Sequence, residues 1–374
     1  MKVIDINNLE NVTLKDPQWF LTYWTIDAGV AWRTKLNAKF PGLPIFGASS
    51  FHGVLTPEGF KRGAYALVGE AEDEISVEVV IAEHASDLRE RAKKAAMELQ
   101  AKISGRAPEC ILLHAAPGAE ERILEGIADV FGASIPIFGG SAADDDVSGK
   151  WQVFSGFTAH SNGFVMAAFC PAGRVHGEFL GGYLPSRHHG TITEAQGRVV
   201  LTIDNRPAAE VYDEWTGGAL GPALRQGGVV LGETSMAPVG RVLKRVFGIP
   251  IFLLSHPHEV IPETRALAFF SEFFEGDEIT LMRGSEKALV TRTELAVSRA
   301  LNTDKRQLKG SVLVYCGGCV GAIEHAMDEV CASYLQSING APFLGIASFG
   351  EQGKAHGAEE SRHGNLMCSV MLFE

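Results

Sequence analysis

Pro136-Ile137-Phe138-Gly139-Gly140-Ser141-Ala142-Ala143-Asp144-Asp145 decides how this chain is read, because recognisable versions of it occur twice more. They are Pro44-Ile45-Phe46-Gly47-Ala48-Ser49 and Pro342-Phe343-Leu344-Gly345-Ile346-Ala347-Ser348. Each copy follows a helix-like run, opens on proline, continues through apolar residues to a small-residue turn carrying serine, and then gives way to a β-rich segment. Proline at the first position of a strand sacrifices no ladder hydrogen bond. Glycines in the turn let backbone approach a neighbour closely, and the serine adds a hydroxyl. Three turns of one kind suit the lining of one ligand site.

Outward from these turns, the chain alternates strand and helix patterns. Cys110-Ile111-Leu112-Leu113-His114-Ala115 reads as a buried strand and Glu120 to Phe131 as an amphipathic helix with Ile123, Ile127, Val130 and Phe131 on one face. Asp87 to Ile103 is helical in composition. Residues 63–68 and 75–82 read as two paired strands joined by a hairpin through Glu70 to Glu74, while Trp19 to Trp24 suits either a strand or the start of a buried helix. The helix, strand, helix, strand order returns near the C-terminus: a helix from Thr293 to Thr303, strand Ser311 to Cys316, a helix from Ala322 to Gln336, and strand Phe343 to Ala347. Val199 to Tyr212 predicts a strand, a tight Asp204-Asn205 turn and a helix opened by Pro207.

The expected fold is therefore α/β: two related mixed-sheet domains with flanking helices, arisen by internal duplication, with stacked sheets of the αββα kind as one arrangement and edge-to-edge sheets as another. The boundary is placed where Pro171-Ala172-Gly173-Arg174 interrupts the patterning, giving domains 1–172 and 173–374. A length of 374 residues suits two such domains.

A net charge of −12 argues against nucleic-acid and anionic-membrane partners, which require a positive field. No run of 18 apolar residues is present and Asp5 interrupts the N-terminus, so no membrane insertion is expected and the location is expected to be cytoplasmic. Six dispersed cysteines read as reduced thiols. Asp144-Asp145-Asp146 places three carboxylates on a turn, suited to an ammonium group or a cation, or else to a solvated, self-capping turn. No EF-hand ladder of ligands follows, so no metal is expected. Cys316-Gly317-Gly318-Cys319, between a strand and a helix, has the spacing of a redox pair, and it serves equally as a wall of backbone and thiol or as plain packing. The Gly-x-Ser turns lack the second glycine of a nucleophile elbow, and no catalytic residue is assigned.

These residues together resemble the FIST family. Phe46-Gly47-Ala48-Ser49-Ser50 and Gly139 to Asp145 are similar to the FIST N domain. Ile203 to Ala208, Tyr315-Cys316-Gly317-Gly318, Ser348-Phe349-Gly350-Glu351 and His363-Gly364-Asn365 are similar to the FIST C domain. The resemblance implies a small-ligand sensory protein of bacterial signal transduction that acts through a separate partner, a histidine kinase or another signalling protein, with an amino acid or similar small metabolite as ligand. It implies Ser49, Ser141, Asp144, Asp145, Cys316, Gly350, Glu351 and Asn365 as ligand-binding positions. Two alternatives stand beside it. One is a haem-binding nitric-oxide sensor, with His52, His114, His256, His258, His325 and His363 as candidate ligands and no Cys-x-x-Cys-His for covalent attachment. The other is a hydrolase or transferase using a serine or Cys316.

Overall fold

The computed structural model describes all 374 residues except Phe247, Thr303 and Lys305. Three copies of one unit carry the architecture. In the first, strands Pro17–Trp24 and Ile45–Ser49 lie parallel and are joined through helix Ala31–Lys39. In the second, Cys110–Ala115 and Ile137–Gly140 are parallel across helix Glu120–Phe131. In the third, Gly310–Cys316 and Phe343–Ser348 are parallel across helices Gly317–Ile323 and Met327–Ser337. Each pair needs its helical crossover because a tight turn cannot return a chain to the same end of a sheet. An antiparallel strand closes each unit: Ala64–Glu70, Gly163–Pro171 and Cys368–Phe373. An outer strand then flanks it: Lys2–Asp5, Ile75–Glu83 and Val175–Leu180. The duplicated order legible in the sequence occupies residues 75–171 and 175–373, and residues 2–70 form a further, shorter copy.

The units exchange hairpins in a closed cycle. The hairpin Val54–Thr56 and Gly59–Lys61 of the first unit pairs with Phe343–Ser348 of the third. Val153–Ser155 and Thr158–His160 of the second pair with Ile45–Ser49 of the first. Glu351–Gly353 and Arg362–Gly364 of the third pair with Ile137–Gly140 of the second. Three six-stranded sheets result. Their inner faces share one core, in which Leu21 and Phe46, Leu112 and Phe138, and Val312 and Leu344 come from the three sheets in turn. Trp19 ties the sheets together: its ring lies 5.5 Å edge-on to Phe169 and 6.4 Å from Phe373, and its indole N–H donates to the Ile75 carbonyl at 3.0 Å. The outer faces are covered by helices, where Ala92, Ala96, Leu99, Ile123 and Ile127 pack over the second sheet.

Several elements fall where periodicity places them. Leu88–Lys102 begins at Asp87, whose carboxylate accepts from the Glu90 N–H, and Asp204 and Asn205 both adopt left-handed backbone between Val199–Ile203 and the helix Ala208–Thr216. Trp19 to Trp24 is strand. The hairpin expected at residues 70–74 is not formed. Ala64–Glu70 pairs with Pro17–Trp24, whereas Ile75–Glu83 pairs with Gly163–Pro171 in another sheet. The short Ala71–Asp73 turn carries the chain between sheets, held by the Glu70 N–H donating to Asp73 at 2.8 Å. The C-terminal helix expected over 293–303 runs Glu286–Ala300, and Thr303 lies outside the described residues. Sheet membership also changes across residues 172–174, between Gly163–Pro171 and Val175–Leu180. Between that strand and helix Glu286–Ala300 the third unit carries a large insertion, whose strands Leu184–Gln196, Val199–Ile203 and Glu278–Arg283 belong to a nine-stranded sheet.

Candidate functional site

The three serine turns meet at one end of the parallel strands and are stitched in a ring. The Ala143 N–H donates to the Ser49 carbonyl at 2.9 Å, Ser141 N–H to Gly350 O at 2.8 Å, and Phe51 N–H to Ala347 O at 2.9 Å. Ser49, Ser141 and Ser348 are fully buried. Each hydroxyl has a structural partner: Ser49 Oγ accepts from the Gln152 N–H at 2.9 Å, Ser141 Oγ donates to Glu120 at 2.5 Å, and Ser348 Oγ donates to Glu351 at 2.8 Å. Burial pushes the Glu351 carboxyl up to about 8, so it keeps its proton at neutral pH.

Most of the acidic turn is engaged by its own surroundings. Asp144 is buried and accepts from the Lys150 N–H at 2.7 Å. Asp145 accepts from the His52 N–H at 3.1 Å and pairs with Arg62 at 2.6 Å, while Asp146 holds Ser148 and Lys150. Among the described residues, no group of three or more His, Cys, Asp or Glu side chains is arranged to hold a metal ion.

Beside the ring of turns lies a cavity of about 340 Å³. Both halves of the chain and the insertion wall it: Phe51, Val147 and Trp151 from the first half, the Cys316-Gly317-Gly318 corner and Phe349 from the third unit, and Leu231, His256 and Phe270 from the insertion. Phe349 sits 5.5 Å from Phe51 and 6.1 Å edge-on from Trp151, so the rings form a corner. Of the eight positions expected to bind ligand, Cys316, Gly350 and Asn365 line this cavity; Ser49, Ser141, Asp144, Asp145 and Glu351 lie off its wall, in the contacts described above. Among the described residues the wall has a single histidine, His256, and neither arginine nor lysine to receive propionates, so the cavity as folded does not suit haem.

Below the corner, the two cysteines differ. Burial and its hydrogen bond to Cys319 push the Cys316 thiol well up. Burial pushes Cys319 up as well, yet the Cys316 thiol, the Arg292 guanidinium and the Tyr183 hydroxyl, 3.3 Å from Cys319 Sγ, more than offset it and bring Cys319 to about 6. Cys319, rather than Cys316 at the start of the helix, is thus the cysteine brought into the thiolate range. All six cysteines are free, and the remaining four thiols are raised by burial. Ultraviolet thiolate absorbance of the native protein is therefore expected to show one group titrating near pH 6, thiolate above and thiol below, that disappears in Cys319→Ser. A native titration with no group below pH 8 would contradict this arrangement.

The comparison with family models follows this architecture. The FIST N domain model matches residues 22–206 and the FIST C domain model residues 208–354. The chain belongs to the FIST family. FIST domains are sensory domains of signalling proteins, and the cavity lies where the two FIST domains meet. The matches adjoin at residue 207, inside the insertion, and the strand Cys368–Phe373 that completes the third sheet lies beyond the FIST C match. No curated protein matches the chain. Among the described residues no helix is long and apolar enough to cross a membrane.

The sequence reading missed the aromatic wall and the polar seam where the second unit meets the insertion and the third unit. Phe51 and Phe349 each follow a serine turn, and laying the three turns over one another would have exposed that shared position. In the seam, buried Glu120 receives Ser141 Oγ and pairs with Arg198 of the insertion at 2.8 Å, with His363 Nε2 at 3.8 Å. Burial opposes the Glu120 charge, but His363, Arg198 and Ser141 prevail and hold its carboxyl at about 2.

Proposed function

We propose that this FIST protein is a small-metabolite sensor whose ligand occupies the cavity between its FIST N and FIST C domains and whose output passes to a separate signalling partner, a histidine kinase among the candidates. One observation carries the reading: the cavity wall is assembled from the first half, the third unit and the insertion together, so an occupant touches all of them at once. A ligand shifts a conformational equilibrium only through contacts that differ between states, and contacts on both sides of an interdomain seam supply that difference. The serine hydroxyls of the three turns point the chemistry the same way. Ser141 donates to a carboxylate held at about 2, too weak a base to take its proton, Ser348 donates to a carboxyl that is itself protonated at neutral pH, and Ser49 accepts a backbone amide, so none is an activated nucleophile.

Gly321 provides the test. It lies on the wall, and a Cβ built there meets nothing within 4 Å. Gly321→Leu is expected to fold normally and to fill the cavity. In a thermal-shift screen against a metabolite library, at least one compound should stabilise the native protein and lose that effect in Gly321→Leu. Equal stabilisation of both proteins would move the ligand site elsewhere, and no stabilisation by any metabolite would remove the sensory reading of this cavity.

A further inference from the structure

Resting on the cavity as the ligand site, we infer that its ligand is a neutral, flat heteroaromatic molecule carrying an N–H or O–H donor beside an acceptor, held between aromatic rings and read by the Asn365 amide and His256.

Among the described residues the wall carries no Asp, Glu, Lys or Arg. Burial holds His256 at about 4, so its ring is neutral at physiological pH. An ion entering such a space gives up its hydration and meets no counter-charge, which is strongly unfavourable for each charge. A zwitterion suffers this twice. Uncharged molecules are thereby selected, and the size, about 340 Å³, sits at the small end of the roughly 300–1,000 Å³ of ligand sites. Phe51, Trp151, Phe270 and Phe349 supply faces and edges suited to an aromatic occupant.

Polar recognition rests on two side chains. Asn365 is 2% exposed, lines the cavity, and its buried Oδ1 has no hydrogen-bond partner. Such an orphaned buried acceptor is uncommon and costly unless something absent from the protein itself satisfies it. An amide presents an acceptor beside a donor, the complement of a lactam edge. His256 adds a second acceptor. Thr234 Oγ1 lies 2.8 Å from Val230 O and 2.7 Å from Pro257 O, so its proton goes to a carbonyl and it accepts from His256 Nε2 at 2.9 Å. The Leu231 carbonyl, 3.2 Å from the same nitrogen, also only accepts. The Nε2 tautomer follows, leaving the Nδ1 lone pair free beside Gly318, where a Cβ would lie 3.4 Å from it.

The experiment is calorimetry on the full chain with quinolinone, its N-methyl derivative, naphthalene, tryptophan and glutamate, on native protein, Asn365→Ala and Gly321→Leu. Quinolinone should bind the native protein, with the N-methyl derivative and naphthalene about ten- to hundredfold weaker because their donor is gone. Asn365→Ala should weaken quinolinone by a similar factor and leave naphthalene within about twofold, a split that a merely structural role would not produce. The comparison among ligands on native protein stands even where a variant does not fold. Binding of tryptophan or glutamate that is lost in Gly321→Leu, with no binding of the neutral compounds, overturns the ligand class and leaves the cavity as the sensory site. Quinolinone binding unchanged in Gly321→Leu overturns both, and equal affinity for quinolinone and its N-methyl derivative overturns the reading of Asn365.

Discussion

Gly139→Ala is expected to destabilise the protein by about 3–5 kcal/mol, among the largest effects open to one methyl group. Gly139 has φ +154°, and a Cβ there would sit 1.8 Å from the Leu113 carbonyl oxygen. That oxygen belongs to the backbone of the parallel neighbour, Cys110–Ala115, so no side chain can rotate away. Gly47 repeats the geometry in the first unit, with φ +154° and the Thr22 carbonyl oxygen at 1.8 Å, and Gly47→Ala should cost the same. Gly345 in the third unit has ordinary backbone, and a Cβ there would meet the Leu55 and Leu313 Cβ atoms at 2.8 and 3.2 Å and the Leu313 carbonyl oxygen at 3.2 Å; none of these can rotate aside, but the approach is looser than the 1.8 Å at Gly139, so Gly345→Ala should cost less. Gly217→Ala, in the ordinary left-handed helical region (φ +75°, ψ 33°) with nothing within 4 Å, is the control and should lose about 1 kcal/mol. Chemical denaturation of the four variants checks the order; Gly139→Ala within about 1 kcal/mol of Gly217→Ala would refute the close strand approach.

Glu120→Ala is expected to cost a comparable 3–5 kcal/mol, because it leaves Arg198 facing Glu121 alone and Ser141 Oγ without its acceptor in a buried seam. The pH dependence has a definite sign. With its carboxyl held at about 2 against an ordinary 4.5, Glu120 stabilises the fold fully above pH 4.5 and progressively loses that contribution as pH falls toward 2. A shift of this size corresponds to about 3 kcal/mol. Burial holds His114 and His256 at about 4 against 6.5, so these two already weaken the fold as pH falls from 6.5 to 4. Glu351 works oppositely: protonated in the fold up to about 8, it weakens the fold as pH rises from 4.5 to 8. Glu120→Gln should therefore reduce the acid loss below pH 4.5, to which the lowered Glu121 still contributes, and leave the loss between 6.5 and 4 in place. Stability against pH for native protein and Glu120→Gln decides it, and two superimposable acid limbs would remove Glu120 from the seam.

Much of the local structure was legible because one rule governs it. Cys110–Ala115 and Glu120–Phe131 fall on the expected residues, since an uninterrupted apolar run and a 3.6-residue stripe survive any packing context. The pairing of Ala64–Glu70 and Ile75–Glu83 was not legible, because adjacent strands normally pair and only the cycle of hairpins sends these two to different sheets. The acidic triplet shows the limit for sites. Three carboxylates in a row advertise a cation, whereas Asp145 finds Arg62 from residues far away in sequence and Asp144 finds the Lys150 amide of its own loop. The cavity's apolar wall is drawn from segments more than 300 residues apart, Phe51 and Asn365, and no local pattern marks it. The three serine turns led to the right region, yet of their serines Ser348 alone lines the cavity, and most of its wall comes from their neighbours and from the insertion.

The cyclic exchange of hairpins has a consequence for synthesis. The edge of Ile137–Gly140 stays bare until Glu351–Gly353 arrives, and the hairpin beginning at Val54 has no sheet to join until Phe343–Ser348 has left the ribosome. A nascent chain stopped anywhere before that point displays open strand edges, the kind of surface that proteases and chaperones recognise. Closure of the ring thus acts as a check that the third unit has been made, and the ring cannot gain or lose a repeat by simple duplication as a linear solenoid can.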